Sequence, residues 1–184
     1  MILTAIEYLS TLLRSYAWAI LPVLLIFEFV IVFALNPKYH LEIVEVESNV
    51  NEQSDVFQTH ALTLSGMAFT VVAILVALTD EPSRFVDTLS VLATAIFFLF
   101  FSYEVREVTQ TKKYWFTLQE KTLGYGFLSL FIGVVLLYDT AILDRRAWLL
   151  IAGFAIVAGI RFLTIKRQME MFYNMKKNEI SEQE

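Results

Sequence analysis

Apolar residues in this chain gather in five long blocks, at 17–35, 61–79, 86–103, 122–138 and 147–165, and the intervening stretches carry nearly all of the charge. Each block matches the roughly 17–25 residues that an α-helix needs to cross a hydrocarbon core. A surface helix of a soluble protein shows a polar stripe along its whole length. These blocks show polar ends instead, with Glu28 and Arg161 set inside the first and last. The pattern predicts an all-α fold, a polytopic transmembrane helix bundle of about five spans that occupies 17–165. Ahead of it, Ile2, Ile6, Leu9 and Leu13 alternate at helical spacing with Glu7, Ser10, Thr11 and Arg14. Segment 1–16 is therefore expected to be an amphipathic or interfacial helix, lying in the interface or extending the first span outward. Pro22, which lacks a backbone donor, predicts a kink near the entry of that span. Segment 166–184 is expected to continue the last helix into water as a cytoplasmic tail.

The connections refine this picture. The loop after Asn36-Pro37 is acidic, with Glu42, Glu45, Glu47, Glu52 and Asp55, and its near-alternation at 41–47 admits a short strand. Residues 80–84 and 139–146 read as tight hairpins, whereas 104–121 is longer and basic and carries Tyr114-Trp115-Phe116, suited to a membrane interface. Spans two and three, and spans four and five, form two hairpins about sixty residues apart. That offset aligns Gly66 with Gly126, Ala73 with Gly133, Ala93 with Gly153 and Ala95 with Ala155, a pattern compatible with a parallel repeat. A four-span arrangement, with one block lying differently, is the alternative and moves the N-terminus inside.

Composition agrees with the pattern. The 184 residues are 57% hydrophobic and 18% charged, against about 45–50% and 25% in soluble domains. So short a chain cannot hide five helices, apolar all round, behind a polar shell. The net charge of −5 resides in loops and tail and argues against nucleic-acid binding. Cysteine is absent, which excludes thiolate chemistry and cysteine metal sites. With no cationic start or small-residue cleavage site, the first block is expected to remain as an anchor. With the N-terminus outside, the inner side collects Lys38, Arg106, Lys112, Lys113, Lys121, Lys166, Arg167, Lys176 and Lys177. The outer side keeps Arg14, Arg84, Arg145 and Arg146. The positive-inside rule thus predicts a cell-membrane protein with N-terminus outside and C-terminus cytoplasmic.

Candidate chemistry lies on helix faces. At roughly 100° per residue, Asp55, Thr59, Thr63, Gly66, Thr70, Ala73 and Ala77 fall within an arc of about 80° on the second span. Thr122, Gly126, Ser129, Gly133 and Thr140 repeat the pattern on the fourth. Such stripes serve either close helix packing or the lining of a water-filled cavity. Asp55, Thr59, Thr63, Thr70 and Ser129 are the candidate lining residues. Glu28 and Arg161 lie at depths only about 4–5 Å apart, so they are a candidate intramembrane ion pair or ion site. Asp55, His60, Glu104, Arg106, Glu107 and Glu120 are expected near the inner surface, with His60 the candidate pH-responsive group.

Neither His40 nor His60 stands in a metal-binding spacing, and no phosphate or dinucleotide fingerprint occurs, so no metal and no cofactor are expected. Ser65-Gly66 lies mid-helix without the strained turn of a nucleophile, and an enzyme is not expected. The leading expectation is a small channel or transporter subunit for an ion or proton, embedded in the bilayer as a homo-oligomer. Ala152, Ala155 and Gly159 are candidate contacts between copies. A non-catalytic membrane scaffold or accessory subunit with a membrane protein partner is the alternative. A lipid-modifying enzyme using loop carboxylates such as Glu104 or Glu107 comes third.

Overall fold

A computed structural model describes residues 2–35, 48–78, 82–109, 113–141 and 147–181, with side chains described at 7–34, 52–77, 83–109, 113–141, 150–167 and 170. Every element among them is helical: α1 (Ile2–Leu35), α2 (Ser48–Leu78), a 3-10 turn (Pro82–Phe85), α3 (Val86–Glu104), the single turn α4 (Arg106–Thr109), α5 (Lys113–Ala141) and α6 (Ala147–Ser181). The alternating segment at 41–47 and His40 lie outside the described residues.

The helices overrun the apolar blocks. α1 is continuous from Ile2 through Pro22 to Leu35, 34 residues or about 51 Å at 1.5 Å each. α2 begins thirteen residues before its block and α5 nine before. Hydropathy marks only where a helix meets lipid. The backbone hydrogen bonds that make the helix continue into water without penalty. Among the described residues, four helices are long and apolar enough to cross a membrane, at Glu7–Ala34, Glu52–Ala77, Ser83–Glu104 and Lys113–Ala141.

α5 is the central helix, packed against α1, α2, α3 and α6. α1 and α6 lie together on one side of it, α2 and α3 on the other. The main core joins Ala17, Leu21 and Leu25 of α1, Val91 and Phe98 of α3, Tyr125, Leu128, Ile132 and Leu136 of α5, and Leu150 and Val157 of α6. α3 and α5 approach closely because Gly126 and Gly133, seven residues apart, present no side chain there. A Cβ at Gly126 would stand 2.7 Å from Leu99 Cγ, and one at Gly133 2.7 Å from Leu92 Cδ2.

The surface is the reverse of a soluble protein's. Val23, Ile26, Phe27, Phe97, Phe162 and Leu163 are each at least 63% exposed, while Glu28, Lys121 and Asp139 are at most 1% exposed. Apolar side chains outside and ionised ones inside is the distribution that lipid as solvent selects.

The four aligned pairs of the candidate repeat occupy opposite environments. Gly66, Ala73 and Ala93 are exposed where Gly126, Gly133 and Gly153 are buried, and Ala95 is buried where Ala155 is exposed. For the first two pairs the reason is position: α5 is surrounded, whereas its counterpart α2 sits at the edge of the bundle.

Candidate functional site

One stripe of α1 turns inward: Ser10, Arg14, Ala17, Leu21, Leu25, Glu28 and Val32, at steps of three and four residues. The facing stripe of α5 is Lys121, Tyr125, Leu128, Ile132, Leu136 and Asp139, stepped in the same way. Such steps place side chains on one helical face. Each stripe carries one positive and then one negative charge along the chain, so the antiparallel pairing brings unlike charges together at both ends.

The first meeting point is Glu28. Lys121 Nζ donates to its Oε1 at 2.6 Å, and the Tyr125 hydroxyl donates to its Oε2 at 3.0 Å. From α6, Arg161 Nε donates to Oε2 at 3.0 Å, with Nη2 2.9 Å from the same oxygen. The Arg161 guanidinium also lies 4.3 Å from the centroid of the Tyr125 ring, a cation–π contact. Gly124 makes room for it, since a Cβ there would lie 3.3 Å from Arg161 Nη1. Although near Glu28, Nη2 is buried and lacks a hydrogen-bond acceptor. One carboxylate from α1 thus gathers two cations and a phenol from two other helices. Removing water strengthens these charge-assisted bonds and also makes each member costly to leave alone.

The second meeting point is Arg14 with Asp139, whose carboxylate accepts a hydrogen bond from Arg14 Nη2. Asp139 is fully buried and the Arg14 side chain is 10% exposed. At the next residue, Arg84 Nη2 donates to the Thr140 carbonyl at 2.9 Å. The two charged layers stand about 21 Å apart along α1, fourteen residues at 1.5 Å each. Between them Ala17, Leu21, Ile132, Leu136 and Leu150 are fully buried in one apolar cluster.

A neutral polar knot joins the other side of the bundle. The Ser54 hydroxyl donates to Gln119 Oε1 at 2.8 Å and lies 3.1 Å from the Thr109 hydroxyl, while Gln119 Nε2 donates to the Ser54 carbonyl at 3.3 Å. The Ser102 hydroxyl donates to the Gln119 carbonyl at 3.0 Å. Those contacts tie α2, α3, α4 and α5 together beside an exposed ion pair, Arg106 to Asp55, at 2.5 and 2.7 Å.

Comparison with protein-family models, curated proteins and solved structures finds no match.

The candidate residues fall into three environments. Thr59, Thr63 and Thr70 lie on the exposed side of α2, and Asp55, also exposed, pairs with Arg106 of α4. The threonine hydroxyls donate to carbonyls four residues back, Thr59 to Asp55, Thr63 to Thr59 and Thr70 to Gly66. The face of α2 that packs inward is instead Ser54, Ala61, Ser65, Ala68 and Leu75. Ser129 is fully buried on α5 and donates to the Tyr125 carbonyl at 2.8 Å; its stripe is a packing surface. His60, Glu104, Glu107 and Glu120 are exposed. Glu28 and Arg161 meet directly. Arg14, Lys121, Tyr125 and Asp139, which complete the charged layers, were not among the candidates. The signal for Arg14, Lys121 and Asp139 was present as three-and-four steps continuing the apolar stripes past the block ends, where a charged residue reads as loop.

Proposed function

We propose that the chain is a small ion- or proton-transporting subunit of a cell membrane, with five spans, N-terminus outside and C-terminus cytoplasmic, acting as a homo-oligomer. α6 supplies the fifth crossing: its apolar first half carries Arg161, whose charge is engaged inward by Glu28. The observation that carries the reading is the pair of buried charged layers, Glu28–Lys121–Arg161 and Arg14–Asp139, at either end of a packed apolar layer. Ionisable groups so placed in a membrane bundle mark ion and proton routes by default. In this arrangement the layers are exchangeable contacts: a proton or ion that competes for Glu28 releases Lys121 and Arg161 and loosens α1 from α5 and α6. The exposed polar face of α2, from Asp55 to Thr70, meets a second copy rather than lipid.

The second reading, a non-catalytic scaffold, is favoured by the number of donors on Glu28. A carboxylate held by three side chains serves equally to specify which helices are neighbours. Purified protein in liposomes distinguishes the two. Ion or proton flux that Glu28→Gln abolishes, at equal amounts of folded protein, supports transport. Absence of flux in the unaltered protein, or flux that Glu28→Gln leaves unchanged, rejects it. Cysteine at Thr63 or Thr70 protected from reagent in detergent-separated copies but not in the bilayer would further sink the proposed contact along α2.

A further inference from the structure

The planar guanidinium of Arg161 has two edges that can each present a pair of parallel N–H groups. One faces Glu28: Nε donates to Oε2 at 3.0 Å, and Nη2 stands 2.9 Å from the same oxygen. The other edge joins Nη1 and Nη2. Among the described residues neither of these nitrogens has a hydrogen-bond acceptor, and Nη2 is buried. We infer that this second edge is a binding site for a small oxyanion, of the carboxylate or phosphate kind, held through two of its oxygens. The inference deepens the transport reading above and rests on it only for the passage of that anion across the membrane.

What is left open decides the sign of the ligand. Glu28 already accepts from Lys121 Nζ, the Tyr125 hydroxyl and Arg161 Nε, so a cation approaching it meets two positive side chains. The unfilled valence belongs to a donor, and a buried N–H without an acceptor is costly. The fork decides the shape. Two parallel N–H groups match two coplanar oxygens of a carboxylate or phosphate better than a spherical halide. Tyr125 fixes the fork, with its ring centroid 4.3 Å from the guanidinium carbon. Gly124 leaves room beside it, since a Cβ there would stand 3.3 Å from Nη1. Gly124 and Arg161 are both half-buried, so the edge can be reached from outside the bundle. Arg161 stands four residues, about 6 Å, from the end of its apolar block, close to water and to lipid headgroups. Glu120 precedes Gly124 by one turn on the same face of α5, yet among the described residues Arg161 pairs with Glu28 alone.

Formate is the probe, because its single carbon-bound proton is read by saturation-transfer NMR on the protein in a phosphate-free detergent. Formate should bind, and acetate or nitrate should displace it at lower concentration than chloride does. Arg161→Lys keeps a charge beside Glu28 but loses the fork. It should weaken formate at least about tenfold, the worth of one charge-assisted hydrogen bond, and erase the preference over chloride. Gly124→Ala closes the space at Nη1 and should weaken formate while the Glu28 contacts remain; circular dichroism checks that both variants stay helical. No formate signal in the unaltered protein, or one that Arg161→Lys leaves unchanged, overturns the site. Displacement by chloride as readily as by acetate overturns the two-oxygen contact. Phosphatidic acid that displaces formate from the micelles assigns the oxyanion to a lipid headgroup, whereas nitrate entry into liposomes that Arg161→Lys abolishes assigns it to a soluble anion. Formate bound without nitrate flux keeps the site and refutes anion transport. Cation or proton flux without formate binding keeps transport and removes the site.

Discussion

Replacing Glu28 by Gln removes the one carboxylate that Lys121 and Arg161 share. At 2.6 Å and an effective dielectric constant of about 20, a unit pair has a Coulomb energy of roughly 6 kcal/mol. The hydration lost on burial offsets a large part of that, so breaking a buried pair by removing one partner costs about 3–5 kcal/mol. Glu28→Gln leaves two buried cations facing a neutral amide and belongs in that range. Lys121→Met, which keeps Glu28 with Arg161 and Tyr125, should cost less, about 1–3 kcal/mol. In the double variant the stranded Lys121 charge is gone, so the two costs should fall short of adding by about 2–3 kcal/mol. Reversible unfolding in mixed micelles, followed by circular dichroism across the four members of the cycle, measures this coupling. Costs that add within about 0.5 kcal/mol would show that the carboxylate and the ammonium do not share one desolvated site, and the account of the α1–α5 contact given above fails with them.

Other outcomes follow from the same geometry. Arg14→Met should destabilise by about 3 kcal/mol by leaving the buried Asp139 without its cation, and adding Asp139→Asn should restore most of it; micelle unfolding of the single and double variants compares them. Gly133→Leu places atoms where Leu92 sits 2.7 Å from the new Cβ and should cost at least 1–3 kcal/mol. Gly159→Leu meets open space and should be neutral or slightly stabilising, so equal effects at the two glycines contradict the α3–α5 packing. Gln119→Leu removes both the acceptor for the Ser54 hydroxyl and the donor to its carbonyl, and a loss of about 1–3 kcal/mol is expected. Faster hydrogen exchange at the start of α2 than elsewhere should accompany it; uniform exchange across the bundle would disconnect the knot from α2.

Hydropathy alone determined the class of this protein. Residues at 17–35, 61–79, 86–103 and 122–138 are apolar for the length of a membrane crossing, and the described part of each lies within a helix of suitable length and composition. That much is local, because a backbone in lipid has to satisfy its own hydrogen bonds and a helix does so within one segment. Glu28 and Arg161 were also legible, since a charge inside an apolar block is conspicuous. Their partners were not. Lys121 and Asp139 stand just beyond a block end, where charge is ordinary, and Arg14 sits in a segment that reads as interfacial.

Only the antiparallel packing of α1 on α5 turns Arg14, Lys121 and Asp139 inward and supplies each with an opposite charge. The same limit explains the two polar stripes. Threonine and glycine at helical spacing look alike on α2 and α5, yet one stripe faces outward and the other lies beneath Leu92 and Leu99. The difference is in the neighbours: α5 is enclosed by four helices and α2 stands at the edge of the bundle. Periodicity fixes which residues share a face. What that face meets depends on where the helix sits among the others, and segments far apart in the chain decide it.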